Sequence, residues 1–160
     1  MNGGRSSLLE QAASALAATR FDPQHAGDIF LRADAEVSLR EVLTGASVWS
    51  AGRDDARLPT ARFMGATYRP DLLVAVGDAQ VAIGITLLRN DPGPLTTAIV
   101  RAVLLARHLP VAMVILDRRI RRGEASGDGV RPSDQAVMDD LAARHQLRFV
   151  VHRQAPFSFG

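Results

Sequence analysis

The sequence predicts an α/β fold with a central mixed β-sheet flanked by helices. Two apolar segments rich in β-branched residues, 72–76 and 80–88, are separated by Gly77-Asp78-Ala79, which is a hairpin signal. After this hairpin, helical and strand patterns alternate as far as residue 152. The nearly continuous apolar character of the two hairpin segments indicates central strands that are covered on both faces.

The N-terminal region predicts a helix that lies outside the main core. Ser7-Leu8-Leu9-Glu10 has the spacing of a capping box, with Ser7 as the N-cap, and Asp22-Pro23 ends the helical pattern after Arg20. Apolar residues recur between Leu8 and Leu16. Such a helix either packs back onto the sheet or offers a dimer surface, and the sequence leaves both alternatives open.

A second helix and a set of short strands follow. The helix is predicted from about Asp34 to Thr44, with Val37, Leu39 and Leu43 mostly on one side. Between residues 46 and 67 the pattern is irregular, with the composition of a strand near residues 48–49 and a second extended piece near residue 63. The chain therefore enters the central hairpin through short extended segments.

The C-terminal half alternates helices and buried strands. Thr96 or Thr97 is positioned to cap a helix that ends near His108, and Ser133 is positioned to cap one that ends near His145. Strands are predicted at residues 111–116 and 147–152, and a Gly-rich basic loop at residues 118–131. With no linker in the chain, we expect one domain over residues 1–160, in which 1–22 form an N-terminal helical extension and 34–152 the core.

Composition excludes several classes of protein. The chain has 160 residues, a mass of 17.2 kDa and 47% hydrophobic residues, as expected of an ordinary globular domain. Cysteine is absent, which excludes disulfides and thiolate metal sites and predicts a reducing, cytoplasmic setting. The most apolar region, from Leu95 to Leu116, is interrupted by Arg101, Arg107 and Pro110. We therefore expect no membrane partner.

The charge of the chain says little about its partners. The isoelectric point is about 10.3, yet the formal charge at pH 7 is only +2. The two values agree because all 19 basic residues are arginine, so almost nothing titrates between the histidines and the arginines. Local clusters of charge must therefore identify any site for nucleic acid.

The most specific motif lies in the central hairpin. Pro70-Asp71 opens the first strand, and the second strand passes through Gly84 and Thr86. This hairpin resembles that of the PD-(D/E)XK nuclease superfamily, where Pro-Asp opens one strand and the next carries an acid, any residue and a lysine. Gly84 stands at the position of the acid and Thr86 at that of the lysine. The resemblance implies a restriction-endonuclease-like core over residues 34–152, with the order αβββαβ and an extra N-terminal helix.

The resemblance also implies a site chemistry. Enzymes of this superfamily hydrolyse phosphodiesters with Mg²⁺ held by converging carboxylates. Asp71 is the catalytic and metal-binding candidate, although it alternatively caps a turn. Glu41 or Glu36 would supply the acid of the first core helix. Arg101 and Arg89 are the nearest cations in a chain without lysine, but arginine keeps its proton and cannot act as a base. We therefore expect no cofactor, or Mg²⁺ if the site is active.

A basic run offers a candidate surface for nucleic acid. Arg118, Arg119, Arg121 and Arg122 stand close together in the predicted loop, and Arg101 lies on the preceding helix. Guanidinium groups at such spacing favour contacts with phosphates. A solvated loop is the alternative interpretation of the same run.

Four hypotheses of function follow. The leading one is a catalytically inactive nuclease-fold domain that works by binding, as an accessory module with a protein partner or as a homo-oligomer. The second is a metal-dependent nuclease whose active site has fewer residues than usual: Asp71, Glu41 and Arg101, with Asp78 or Asp91 nearby. The third is nucleic-acid binding without cleavage. The fourth is an unrelated small α/β domain in which the Pro-Asp pair is coincidental.

Overall fold

A computed structural model describes residues 3–120 and 130–154 of the chain, with side chains from residue 8 onwards. It is an α/β fold in which a five-stranded mixed sheet is flanked by helices and accompanied by a separate two-stranded hairpin. In chain order the elements are α1 (Gly3–Ala17), α2 (Asp28–Val42), β1 (Ser47–Ser50), a 3₁₀ turn (Asp55–Arg57), β2 (Ala61–Phe63), β3 (Ala66–Tyr68), β4 (Leu72–Val76), β5 (Ala79–Leu88), α3 (Gly93–Ala106), β6 (Val111–Asp117), α4 (Pro132–Arg144) and β7 (Leu147–Arg153).

The strands of the main sheet lie in the order β1-β4-β5-β6-β7. The predicted hairpin is confirmed: β4 and β5 are antiparallel, and Gly77 between them has the positive φ of 58° that a tight turn needs at its first central position. β1 is antiparallel to β4, whereas β5, β6 and β7 are parallel neighbours. Helices α3 and α4 make the two crossovers between the parallel strands, as such connections require.

Successive side chains of each strand point to opposite faces of the sheet, which divides the core into two apolar layers. Val81, Ile83 and Ile85 of β5 face α1 and α2, whereas Ala82 and Leu88 face α3. The second layer also receives side chains from α4 and from the chain just before β2. The sheet is therefore covered on both faces, as its apolar strands predict.

Helix α1 belongs to the core. Leu8, Leu9, Ala12 and Leu16 are buried in the first layer, so of the two alternatives that the sequence leaves open, the helix packs back onto the sheet. The predicted N-cap at Ser7 is wrong, because the helix begins at Gly3 and Ser7 lies inside it. The spacing of a capping box does not mark a helix start when helical residues precede it.

Other helix starts also differ from prediction. Helix α2 begins at Asp28, well before the predicted start at Asp34, and its residue Val37 is 58% exposed instead of lying on the buried side. Thr96 and Thr97 do not cap α3, since their hydroxyls donate back to carbonyls one turn earlier. Helix α4 begins at Pro132 with no side-chain cap, so Ser133 lies in its first turn.

Setting aside the separate β2–β3 hairpin, the elements from α2 to β6 follow the order helix, three strands, helix, strand. Helix α1 precedes this series, and α4 and β7 follow it. Within the residues described, no helix has both the length and the apolar character needed to span a membrane.

Candidate active site

Asp71 is fixed by the sheet immediately before β4. Its amide donates to the carbonyl of Ile83 at 2.9 Å, and its own carbonyl accepts a hydrogen bond from the amide of Ala51 at 2.9 Å. The register that pairs Leu72 with Ile83 brings Asp71 beside Gly84 of β5. Because its backbone is held from both sides, the Asp71 carboxylate has a defined direction and contacts α3.

The Asp71 carboxylate is buried between two guanidinium groups. Its Oδ2 accepts hydrogen bonds from the amide of Ile85 at 2.7 Å and from Nη2 of Arg101 at 3.1 Å. Its Oδ1 lies 3.8 Å from Nη1 of Arg32, which comes from α2. The side chain of Asp71 is only 11% exposed. Both carboxylate oxygens therefore already face cations of the chain itself.

The electrostatics of Asp71 reflect this burial. Loss of water around the carboxylate raises the pKa of Asp71, while Arg101, the hydrogen bond from Ile85 and Arg32 oppose that rise. The nearby carboxylate of Asp28 adds to the rise. The arginines thus offset a desolvation cost that would otherwise disfavour the charged form of Asp71.

The space in front of Gly84 is occupied by Arg101. A Cβ atom on Gly84 would lie 3.9 Å from Nη2 of Arg101, so the guanidinium lies where a side chain of residue 84 would point. Thr86 is buried, and its hydroxyl donates to the carbonyl of Leu87 at 3.4 Å. The positive charge beside Asp71 therefore comes from α3 and α2, and neither arginine can accept a proton from water.

The predicted acids of α2 do not join Asp71. Glu41 is exposed and lies nine residues beyond Arg32, about 13 Å further along the helix. Glu36 forms ion pairs with Arg53 at 2.7 Å and Arg40 at 3.0 Å. The hydrogen bond from Arg53, assisted by Arg40, lowers the pKa of Glu36 against the opposing effect of burial. Glu36 therefore belongs to a separate cluster of ion pairs.

The residues that the structure describes around Asp71 do not fit a magnesium ion. Over residues 3–120 and 130–154, no group of three or more His, Asp or Glu side chains is placed to hold a metal. Asp78 lies in the turn at the far end of β4, and Asp91 accepts a hydrogen bond from the amide of Gly93 at 3.0 Å. The carboxylate of Asp28 is near Asp71, but no third acidic or histidine side chain joins them among the described residues, whereas Mg²⁺ and Mn²⁺ sites of nucleases need several oxygen ligands.

The predicted phosphate-binding arginines have intramolecular partners wherever the structure describes them. Arg118 is buried, and its guanidinium donates to Gln154 and to the backbone carbonyls of His25 and Asp22. Arg119 makes a bidentate ion pair with Asp117. Arg118 therefore ties the chain after α1 to the ends of β6 and β7, and its contact with phosphate stays a prediction.

Arg121 and Arg122, also predicted to contact nucleic acid, lie outside the described residues. Arg101, the remaining member of that prediction, contacts Asp71. The pairing of these two residues agrees with the sequence-based choice of Arg101 as a substitute cation. Arg32 was missed because nothing in its local sequence distinguishes it from a solvated helix residue. No family model matches the chain, and no curated protein matches it.

Proposed function

We propose that this chain is a catalytically inactive domain of the restriction-endonuclease-like fold that works as a binding or accessory module for another protein. The observation that carries the proposal is the position of Arg101. Its guanidinium lies against Asp71 and in front of Gly84, where a nuclease of the PD-(D/E)XK type would require a cation bound by two carboxylates.

Electrostatics support the loss of metal chemistry. A divalent cation at Asp71 would have to displace Arg101 or stand beside it in a buried, weakly screened site. Arginine cannot relieve this repulsion by losing its proton. With two guanidinium groups competing for the carboxylate of Asp71, the site favours the internal ion pairs over Mg²⁺.

The proposed fold relationship is supported by order and by register. The series from α2 to β6 has the order that the superfamily resemblance implies. The Pro-Asp pair opens β4, and Gly84 lies beside Asp71 in the next strand, where the family acid belongs. Both features support the proposal of a nuclease scaffold in which other residues stand at the ligand positions.

The proposed binding role is supported by one face of α2. Ile29, Phe30 and Val37 are 72%, 57% and 58% exposed, and they lie on one side of the helix together with Ala33. The opposite side, which carries Leu31, Ala35 and Leu39, is buried against α1 and the sheet. Large apolar side chains clustered on a surface are typical of protein-binding sites.

A cleavage assay tests the proposal. Supercoiled plasmid, single-stranded DNA and RNA are incubated with the purified chain in Mg²⁺ or Mn²⁺, alongside the Asp71→Ala variant. We expect no cleavage beyond that of the variant. Metal-dependent cleavage by the wild-type chain that disappears in Asp71→Ala would establish the alternative, a nuclease with a reduced site.

Binding of nucleic acid without cleavage is the second alternative, and fluorescence anisotropy measures it. Labelled duplex and single-stranded DNA are titrated with the chain at several salt concentrations. We expect no tight binding, because Arg101, Arg118 and Arg119 are engaged within the chain. Tight binding that collapses with salt would instead favour the nucleic-acid role and would direct attention to Arg121 and Arg122.

A further inference from the structure

A second concave site lies between α3 and α4, away from Asp71. It is a groove of about 480 Å³ that opens at the carboxyl ends of β5, β6 and β7. Neither Asp71 nor Arg101 lines it. Its volume is within the usual range of small-molecule sites, and the carboxyl end of a parallel sheet is where α/β folds commonly bind ligands.

The groove follows from how the two helices pack. Helix α3 packs mainly on β5, and α4 packs on β7, which leaves a gap between them above β6. Ile115 of β6 and Phe149 of β7 form the floor, Ile99 of α3 forms one wall, and Met138 and Leu141 of α4 form the other. The groove is therefore apolar over most of its depth.

Helix α4 leaves its apolar side open to this groove. None of the residues of α4 is fully buried, and Val137 on the groove side is 58% exposed. A helix that packs on a sheet ordinarily buries one apolar stripe completely. The apolar residues of α4 that line the groove are therefore left partly uncovered by the described core.

The rim of the groove carries an excess of positive charge. Three arginines, Arg89, Arg119 and Arg153, line it together with the two aspartates Asp117 and Asp134. Arg119 and Arg153 share the carboxylate of Asp117, at 3.0 Å and 3.5 Å. Among the residues that line the groove, the arginines outnumber the aspartates by one.

Arg89 is the cation of the rim that is available to a ligand. It is exposed, and over residues 3–120 and 130–154 it makes no ion pair or hydrogen bond. Its charge instead acts on Arg118, where it adds to burial in lowering the pKa of that guanidinium. An anion at the rim would relieve this repulsion and would find a planar group suited to a carboxylate.

We propose that the groove between α3 and α4 binds an aliphatic carboxylate, with the chain in the apolar groove and the head group at Arg89. The apolar groove accommodates the aliphatic part, and the guanidinium of Arg89, which has no ion pair among the described residues, supplies the charge complement. This assignment is independent of the Asp71 site and of the partner surface on α2.

Isothermal titration calorimetry tests the assignment. The full chain is titrated with decanoate, and with decanol and decylamine as the uncharged and cationic counterparts. We expect saturable binding of decanoate, weaker binding of decanol and the weakest binding of decylamine. Absence of saturable decanoate binding, or equal affinity for decylamine, would overturn the proposal.

Two exposed variants and a matched control locate the ligand. Arg89→Gln should weaken decanoate binding by about two- to fivefold, as expected for one exposed charge pair, and leave decanol unaffected. Val137→Glu adds a negative charge inside the groove and should weaken decanoate more than Arg89→Gln does. Val100→Glu makes the same change on α3 outside the groove and should have no effect. An equal loss in Val137→Glu and Val100→Glu, or no loss in Arg89→Gln, would contradict this placement.

Discussion

The guanidinium of Arg101 lies 3.1 Å from the carboxylate of Asp71, on the side of β5 where Gly84 has no side chain. This pairing joins the middle of α3 to the start of β4 and neutralises a buried charge. Under the proposed relationship, it also places a fixed cation where a PD-(D/E)XK nuclease would hold a metal ion. The stability of the sheet therefore depends on the contact on which the proposed loss of metal chemistry also rests.

We expect Asp71 and Arg101 to be strongly coupled. Arg101→Met should destabilise the fold by about 3–5 kcal/mol, since it leaves a buried carboxylate with less compensation. In the double variant Asp71→Asn/Arg101→Met, a double-mutant cycle from urea unfolding should give a coupling energy of about 1–3 kcal/mol. The exposed pair of Arg144 and Asp140 provides the control, with a coupling below about 0.5 kcal/mol. Similar values for both pairs would argue against a buried, structural ion pair.

Gly84 should tolerate a methyl group, whereas Gly77 should not. A Cβ on Gly84 meets no atom closer than 3.9 Å, so Gly84→Ala should leave stability unchanged or raise it by about 0.4–1 kcal/mol. Gly77 has a φ of 58°, so Gly77→Ala should cost about 1–2 kcal/mol. Chemical denaturation of both variants measures the difference. A large loss in Gly84→Ala would show that the space beside Arg101 is tighter than the structure indicates.

The pH dependence of stability should differ in sign between Asp71 and Glu36. Burial raises the pKa of folded Asp71, so its contribution to stability is greatest below its unfolded pKa of about 3.9 and is lost as pH rises through the folded value. The hydrogen bond from Arg53 lowers the pKa of Glu36, so its contribution is present above about pH 4.3 and is lost as pH falls through the lower, folded value.

Urea denaturation between about pH 2.5 and pH 7 separates these two effects. As pH rises, the free energy of unfolding of the wild type minus that of Asp71→Asn should decrease. The same difference between the wild type and Glu36→Gln should increase. Curves that change in the same direction for both variants would contradict the assignment of opposite pKa shifts to the two groups.

The exposed face of α2 should govern association and not stability. Val37→Glu should change the free energy of unfolding by less than about 0.5 kcal/mol, whereas Leu39→Ala on the buried side should cost about 2–5 kcal/mol. In sedimentation velocity, the purified chain should self-associate at high concentration, and Val37→Glu should reduce this. Val100→Glu on α3 is the matched control. Equal reduction by both variants would show that general surface hydrophobicity, and not the α2 face, drives association.

The strands were predictable because their signal is local. β-branched runs and the glycine of the turn identify β4 and β5 almost to the residue. The β2–β3 hairpin was seen only as one extended piece, because its turn uses Met64 at a φ of 52° instead of a residue common in such turns. The predicted starts of α3 and α4 were wrong because these helices begin with Pro94 and Pro132 in the first turn and not with a Ser or Thr cap.

The sequence predicted where in the strands the site residues lie, but not most of the side-chain contacts between them. Pro70-Asp71 and Gly84 could be located from the motif, but the contact of Arg32 with Asp71 joins residues far apart in sequence. A run of arginines likewise does not reveal that Arg118 folds inward onto carbonyls of another segment. Contacts of this kind depend on how elements dock, which local pattern does not encode.

Titration of ¹⁵N-labelled chain with Mn²⁺, followed by NMR, tests the central claim most directly. The amide of Ile85 lies 2.7 Å from the Asp71 carboxylate, so a bound Mn²⁺ ion would broaden its signal at low metal concentration. We predict no saturable broadening at Ile85, because Arg101 and Arg32 contact Asp71 and no group of three metal-binding side chains surrounds it among the described residues. Saturable broadening of Ile85 that is absent in Asp71→Asn would show a working metal site and would contradict the account.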